Sequence, residues 1–550
     1  MVTRILGVST LFTRSAETLA ERTDLVRLDA VRALDPGRRA TLGQYMTPAP
    51  VGRFMASLLR LDRTPVHALD AGAGVGSLTS ALVEELCARD HHPDTLHVEA
   101  WEIDPTLARH LRETLGRCEA HCARESVRFD AKVHQEDFLD AGVSMLERGL
   151  FARERSTFNA AILNPPYHKI NADSAARRAV RRLGVETSNL YTAFLAVAID
   201  LLEPGGELVA ITPRSFCNGP YFRPFRERFL ATMALTRMHV FVRRDRAFED
   251  DDVLQETVIF HAVKGMPQRD VVLSSSEHPD DLCPFVREVP FTDVVRPDDP
   301  ERIFHLVTDG LGVAVNTRME RLPTTLADLG VQVSTGRVVD FRARDHLRAM
   351  PERDTVPLVY PLHLSKGTVE WPRSAGKKPQ AIRACAETAG LLLPSGFYVA
   401  TKRFSSKEEP RRIVAALYDP DSIPADRVGF ENHLNVFHQD GHGLPERLAR
   451  GLVAWLNSTL VDEHFRSWSG HTQVNATDLR KMRWPTRAEL EALGHAMTPL
   501  PDTQEALDRA VERVLFPMTD DPKRDADPIV ARRRIDEALG VLKDLGLPKE

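Results

Sequence analysis

From residue 66 to about 262 short apolar runs alternate with amphipathic stretches. Val66-His67-Ala68-Leu69-Asp70 reads as a strand, followed by a helix through Leu86. Residues 96–102 form a second strand, and Pro105 opens a second helix. Residues 127–134 and 160–163 are the third and fourth strands, 190–202 a helix, 207–212 a fifth strand, and 237–242 and 256–262 two more. Helices set between consecutive strands impose parallel connections, so the pattern predicts an α/β fold: a doubly wound, mostly parallel sheet with helices on both faces. Upstream, residues 14–34 read as a helix. A second helix carries Val51, Phe54, Met55, Leu58 and Leu59 on one side, with Thr47 expected as its N-cap and Pro48 at its first position.

The rhythm stops near residue 265. Residues 266–304, rich in Pro, Asp and Ser, read as a linker. Residues 305–485 mix short strands and helices, predicting an α+β second domain. Residues 486–550 read as a helical tail, with helices at 487–493, 504–514 and 529–545.

Candidate chemistry collects at strand ends, where open α/β sheets bind ligands. Ala160-Ala161-Ile162-Leu163 runs into Asn164-Pro165-Pro166-Tyr167, whose two prolines forbid both helix and sheet. The turn presents an amide, a rigid carbonyl and an aromatic ring, a set that suits the exocyclic amine of a flat base. The amide oxygen and the carbonyl accept the two amine hydrogens, and the ring stacks on the base. Asp70 leads into Gly72-Ala73-Gly74-Val75-Gly76, a loop that lets a ligand approach the backbone but is not the dinucleotide fingerprint. Glu102-Ile103 follows the second strand, where a carboxylate accepts from both hydroxyls of a ribose. Asp137 and Phe138 follow the third, where they suit an adenine amino group and ring face. Together these read as S-adenosylmethionine (AdoMet) held at the switch point, its methyl group aimed at Asn164.

Composition removes other classes. The 550 residues need two or three domains. No apolar run reaches membrane-spanning length. Six scattered cysteines without a CxxC pair predict reduced thiols in a cytoplasm. Cys118, His121 and Cys122 share one helix without a second ligand pair, so no metal is expected. A net charge of −6 does not advertise a nucleic-acid partner, but three basic runs do: eight arginines from Thr212 to Arg246, the group Arg177, Arg178, Arg181 and Arg182, and the group Lys402, Arg403, Lys407, Arg411 and Arg412. Flanking a base pocket, these are expected to contact phosphates.

The order Gly43-Gln44-Tyr45-Met46-Thr47-Pro48, then Asp70-Ala71-Gly72-Ala73-Gly74-Val75-Gly76, an acidic strand end, Asp137-Phe138 and Asn164-Pro165-Pro166-Tyr167 resembles the γ-class of DNA amino-methyltransferases over about residues 1–265. That resemblance implies an AdoMet-dependent methyltransferase domain. Tyr45, Thr47, Pro48, Asp70, Ala71 and Gly72 would hold the methionine end, Glu102 the ribose, and Asp137 and Phe138 the adenine, with Gly74, Ile103 and Asn164 also in the cofactor site. Asn164, Pro165, Pro166 and Tyr167 would form the catalytic tetrad. Its Asn-first form favours adenine N6 over cytosine N4, making the chain an adenine-specific DNA methyltransferase. Phe248 resembles the aromatic that contacts a flipped base from the other side. In residues 305–485, Phe397 to Arg403, Asn432-His433-Leu434-Asn435, Leu456-Asn457-Ser458 and Gly470 to Arg480 resemble PstI/BsuBI-type restriction–modification methylases, implying a DNA target-recognition domain, a short palindromic site (CTGCAG in the best-known members) and a cognate restriction endonuclease. Asn432, His433, Asn435, Thr472, Gln473 and Asn475 are candidates for reading base edges or phosphates. A prokaryotic, nucleoid-associated protein follows.

Two rival readings stand beside this one. The same tetrad serves RNA and protein methyltransferases, whose chains are shorter and lack a large C-terminal reader. A non-catalytic DNA specificity protein would need neither Asn164 nor the glycine loop. A fused nuclease is not expected, because no PD…ExK pattern falls in a strand. The last residues, from Arg532 to Glu550, resemble the start of a helical module.

Overall fold

The computed structural model describes residues 17–34, 45–61, 64–148, 157–171, 173–241, 257–276, 278, 285–307, 310–373, 378–405, 409–469, 473–498, 501 and 503–516. The chain divides into two compact units, Met1–Leu306 and Val307–Glu550.

The first unit is built on a nine-stranded sheet. Its strands are β1 (Val66–Ala71), β2 (Thr95–Trp101), β3 (Arg128–His134), β4 (Phe158–Leu163), β5 (Leu202–Pro213), β6 (Met233–Phe241), β7 (Thr257–Lys264), β8 (Val271–Ser276) and β9 (Phe285–Val289). They lie in the order β3-β2-β1-β4-β5-β7-β6-β8-β9. The first five in that order run parallel to one another, and β7 is antiparallel to both β5 and β6. Between β1 and β4 the strand order reverses direction, which opens a crevice at the carboxyl rim.

The apolar runs are two-sided, as a buried parallel sheet demands. In β4, Ala161 and Leu163 enter one core with Leu69 and Ala71 of β1, while Ala160 and Ile162 enter the other with Val66 and Ala68. The helices α1 (Leu19–Ala33), α2 (Ala49–Leu58), α3 (Ser77–Cys87), α4 (Pro105–Arg124), α5 (Phe138–Arg148), α6 (Ala175–Arg181), α7 (Leu190–Leu201) and α8 (Arg223–Thr232) accompany the sheet. Thr18 caps α1 through a reciprocal pair with Glu21. The cap of α2 differs from expectation. Pro48, not Thr47, is its N-cap residue, and Asp24 of α1 accepts the Ala49 N–H (3.1 Å). Thr47 is thereby left for another partner, described below.

The stretch 266–304, expected as a linker, contains β8 and β9 of this sheet. Ser274 and Ser276 hydrogen-bond the two ring nitrogens of the buried His239 (3.0 and 3.1 Å), so polar side chains are satisfied inside the sheet.

The second unit holds two smaller sheets. One runs Gln332–Thr335, Leu434–His438, Tyr398–Lys402, Ala415–Tyr418, Thr368–Val369, Leu364–Ser365; the other runs Leu347–Arg348, Ala381–Arg383, Thr355–Val359, Arg427–Phe430, Leu392–Pro394. Helices Arg487–Ala496 and Gln504–Leu515 belong to its core through Leu490, Leu493, Leu507, Val511 and Leu515, so residues 486–516 are part of this unit and not a separate tail. The helix expected at 529–545 lies outside the described residues.

Helices Glu446–Leu456 and Arg487–Ala496 meet backbone to backbone. A Cβ on Gly451 would land on the Leu490 carbonyl oxygen, and one on Gly494 on the Arg447 carbonyl oxygen. Gly494→Ala is therefore expected to destabilise the protein by at least about 1–3 kcal/mol, because backbone must move. A thermal unfolding midpoint equal to wild type would contradict this crossing.

Candidate active site

The carboxyl rim of β3-β2-β1-β4 brings the four expected strand ends together. One cavity there is lined by Tyr45, Thr47, Gly72, Gly74, Glu102, Ile103, Asp137, Phe138, Asn164 and Pro166. The glycine loop bends through positive φ at Gly72 (80°), Gly74 (58°) and Gly76 (89°), backbone that favours glycine. The Trp101 carbonyl at the end of β2 accepts from both Gly72 N and Ala73 N (2.9 Å each), pinning the loop to its neighbour strand.

Glu102 is buried and braces the same loop. One carboxylate oxygen accepts the Gly74 N–H (2.9 Å) and the other the Asp104 N–H (2.8 Å). Burial raises its pKa, and these two N–H groups oppose the shift. Asp137 caps α5, accepting from Leu139 N (2.8 Å) and Asp140 N (3.1 Å) with one oxygen. Phe138 is buried against Phe194 (5.1 Å between ring centroids) and Trp101 (5.5 Å).

Asn164 decides the polarity of the site. Its Nδ2 lies 2.6 Å from the Tyr45 carbonyl oxygen and 3.0 Å from Thr47 Oγ1. A carbonyl oxygen only accepts, so the amide must present N–H to it, and Oδ1 is the acceptor left over. Tyr167 donates its hydroxyl to the Ile211 carbonyl (3.3 Å), with its ring beside those of Tyr45 (5.9 Å) and Tyr191 (6.3 Å). Burial pushes the Tyr167 phenol well up, so it stays neutral.

Not every expected residue reaches the cavity wall. Pro48, Asp70, Ala71, Pro165 and Tyr167 do not line it, and Phe248 lies outside the described residues. Asp70 and Ala71 are buried within β1. Thr79 Oγ1 donates to one Asp70 oxygen (2.6 Å), and the other is buried without a hydrogen-bond partner among the described residues.

Burial raises the Asp70 pKa from 3.8 to about 7. The folded state thus holds this proton more tightly than the unfolded one. The stability it contributes is fully present below pH 3.8 and is lost as pH rises through about 7. Asp70→Asn is expected to remove that fall, so the gap in unfolding midpoint between variant and wild type widens from pH 4 to 7. A pH-independent gap would contradict the burial of this carboxylate.

Further wall residues carried no sequence signal of their own. Trp101 sits one place before Glu102 and stacks on His134 (4.1 Å, 6° between ring planes). Leu190 and Phe194 reach the cavity from one face of α7, where an apolar run hides them.

Several arginines of the basic runs have partners within the protein. Arg177 and Arg181 share Glu186 (3.1 and 2.7 Å), and Arg182 pairs with Glu147 (3.3 Å). Buried Arg226 donates to the Phe216 and Gly219 carbonyls (2.9 and 2.7 Å), and Arg228 pairs with Asp200 (2.6 Å). Arg411 donates to the Ser458 carbonyl (2.8 Å), and Arg412 is buried. No described helix is long and apolar enough to cross a membrane.

The type II methyltransferase M.PstI of Providencia stuartii is 44% identical over 473 residues, covering 86% of this chain and 92% of that protein. The chain belongs to the type II restriction–modification methyltransferase family. A second relative, the type II methyltransferase M.BsuBI of Bacillus subtilis, is 45% identical over 464 residues, covering 83% of this chain and 90% of its own. The family described as Eco57I restriction-modification methylase matches residues 91–248, a span that includes Glu102, Asp137 and the Asn164 turn. Among solved structures, the type IIL restriction–modification enzyme MmeI in complex with DNA superposes with a TM-score of 0.52 at 11% identity, over 91% of this chain and 78% of that one. This likeness is one of fold. The cavity at the switch point, with Asn164 and Pro166 in its wall, is the candidate site.

Proposed function

We propose that the protein is a site-specific DNA methyltransferase that moves a methyl group from AdoMet to N6 of an adenine extruded from a short duplex recognition sequence, protecting that DNA from a cognate restriction endonuclease. The observation that carries this reading is the Asn164 amide, turned by Tyr45 and Thr47 so that Oδ1 is its spare acceptor on the cavity wall.

The wall suits the cofactor. The glycine loop closes one side without side chains, Glu102 keeps lone pairs beyond its two backbone bonds for a ribose, and Asp137 with Phe138 offers an acceptor and a ring for an adenine. AdoMet held there would supply an electrophilic methyl group on a sulfonium, with a neutral thioether as its leaving group.

The chain's own residues prepare the amine nitrogen. The lone pair of an adenine amine is delocalised into the ring. Asn164 Oδ1 and the Pro165 carbonyl accept its two hydrogens, which favours a pyramidal nitrogen and stabilises the positive charge that develops there. The two prolines keep the carbonyl in place. Tyr167 replaces base stacking, worth roughly 1–3 kcal/mol. After transfer one amine proton is released to water.

The test is transfer of labelled methyl from AdoMet to duplex DNA, RNA and protein, followed by nuclease digestion and mass spectrometry. N6-methyladenine in duplex DNA is expected. N4-methylcytosine, or label confined to RNA or protein, would overturn the reading.

A further inference from the structure

We propose that one end of the six-stranded sheet in the Val307–Glu550 unit is a base-reading ledge for duplex DNA, with Phe404, His433 and Gln473 as specificity-determining residues. The inference rests on the DNA methyltransferase reading above and names where sequence would be read.

Three chain segments are laced together there. Arg403 N donates to the His433 carbonyl (2.9 Å), Val474 N donates to the Arg403 carbonyl (2.7 Å), and Phe404 forms a β-bridge with Gln473. Of the polar residues that the sequence singles out, Thr472 lies outside the described residues, and the other five fall into two sets. Asn435 is buried and spends its amide on the Val474 carbonyl (2.7 Å), and Asn475 pairs with Asp478 to start the helix Ala476–Lys481. These two hold the ledge together. His433 is exposed and Asn432 and Gln473 are half-buried, and the Asn432 and Gln473 side chains take no hydrogen bond among the described residues.

An apolar ring sits among them. Phe404 is 43% exposed, with the His433 ring 5.0 Å from its own and the Arg403 guanidinium 5.7 Å from its centroid. A surface phenylalanine flanked by a cation and an imidazole loses exposed apolar area when a partner covers it. Glu431, buried beneath, faces His433 Nδ1 at 2.5 Å and accepts the His433 N–H at 2.9 Å. A carboxylate only accepts, so Nδ1 carries a proton, and Nε2 is the ring nitrogen not engaged by Glu431.

This combination fits a DNA groove better than a protein surface. An amide and an imidazole nitrogen hydrogen-bond base edges, a phenyl ring packs on a thymine methyl, and Arg403 with Lys402 supplies positive charge toward phosphates. An acidic protein would satisfy the cations but has no need of Asn432, Gln473 and His433 grouped at one apolar ring.

The experiment uses the full chain, AdoMet and a randomised duplex library, with methylated sites read by sequencing. The unsubstituted protein is expected to yield one consensus. His433→Ala and Gln473→Ala are each expected to lose about tenfold or more in discrimination at one base-pair position. Phe404→Ala is expected to lower the rate at the consensus by a similar factor, and His433→Gln to change the preference and not merely weaken it. AdoMet affinity by calorimetry stays unchanged in all four. The ledge is overturned if every variant keeps the original preference, or if each loses rate equally on all sequences, while methyl transfer by the unsubstituted protein persists. Failure of that protein to methylate any DNA overturns the parent reading first, and this one with it.

Discussion

Asn164→Ala is expected to lower methyl transfer to DNA by roughly 10²–10³-fold, the loss that follows removal of one preorganised group stabilising transition-state charge. AdoMet affinity is expected to change far less. Glu102 and the glycine loop are held by bonds that do not involve the Asn164 side chain. Asn164→Asp is a sharper probe. A carboxylate would face the Tyr45 carbonyl at the 2.6 Å now bridged by an N–H, so the acceptor is kept while its anchor becomes repulsive. Single-turnover transfer and calorimetry, measured side by side, separate the two effects. Equal losses of binding and rate in Asn164→Ala would mean that the residue serves the cofactor and not the amine.

Glu102→Gln is expected to weaken AdoMet binding by about tenfold to a hundredfold. Hydrogen bonds to a charged group contribute about 1.5–3 kcal/mol, and tenfold in affinity is about 1.4 kcal/mol. The substitution leaves one acceptor where two backbone N–H groups now converge, so the amide NH2 must oppose either Gly74 N or Asp104 N. The glycine loop then loses its brace, and a ribose loses an anionic acceptor. Binding equal to wild type would remove Glu102 from the cofactor site. Once AdoMet saturates, a normal transfer rate is expected, which separates this variant from Asn164→Ala.

Much of the first unit was legible because its signals are local. Strands buried on both faces write continuous apolar runs, and Gly72, Gly74 and Gly76 stand where the backbone takes positive φ. Composition does not show which partner a polar side chain finds. Ser274 and Ser276 read as linker residues, but His239 satisfies them within a sheet. Arg226 read as a phosphate contact, but it is buried and the Phe216 and Gly219 carbonyls take it up.

By itself the sequence determined that four strand ends would share a rim and that an amide, carboxylates and a glycine loop would stand on it. Period, punctuation and residue type are properties of a few neighbouring positions. Only the tertiary structure decided which way the Asn164 amide points, because its anchors, Tyr45 and Thr47, lie 119 and 117 residues away along the chain. It also decided that Asp70 faces Thr79 from inside β1, and that Asn435 is a strut while His433 stays at the surface. A hydrogen bond between distant segments is set by how strands are ordered and registered, and no local pattern encodes it.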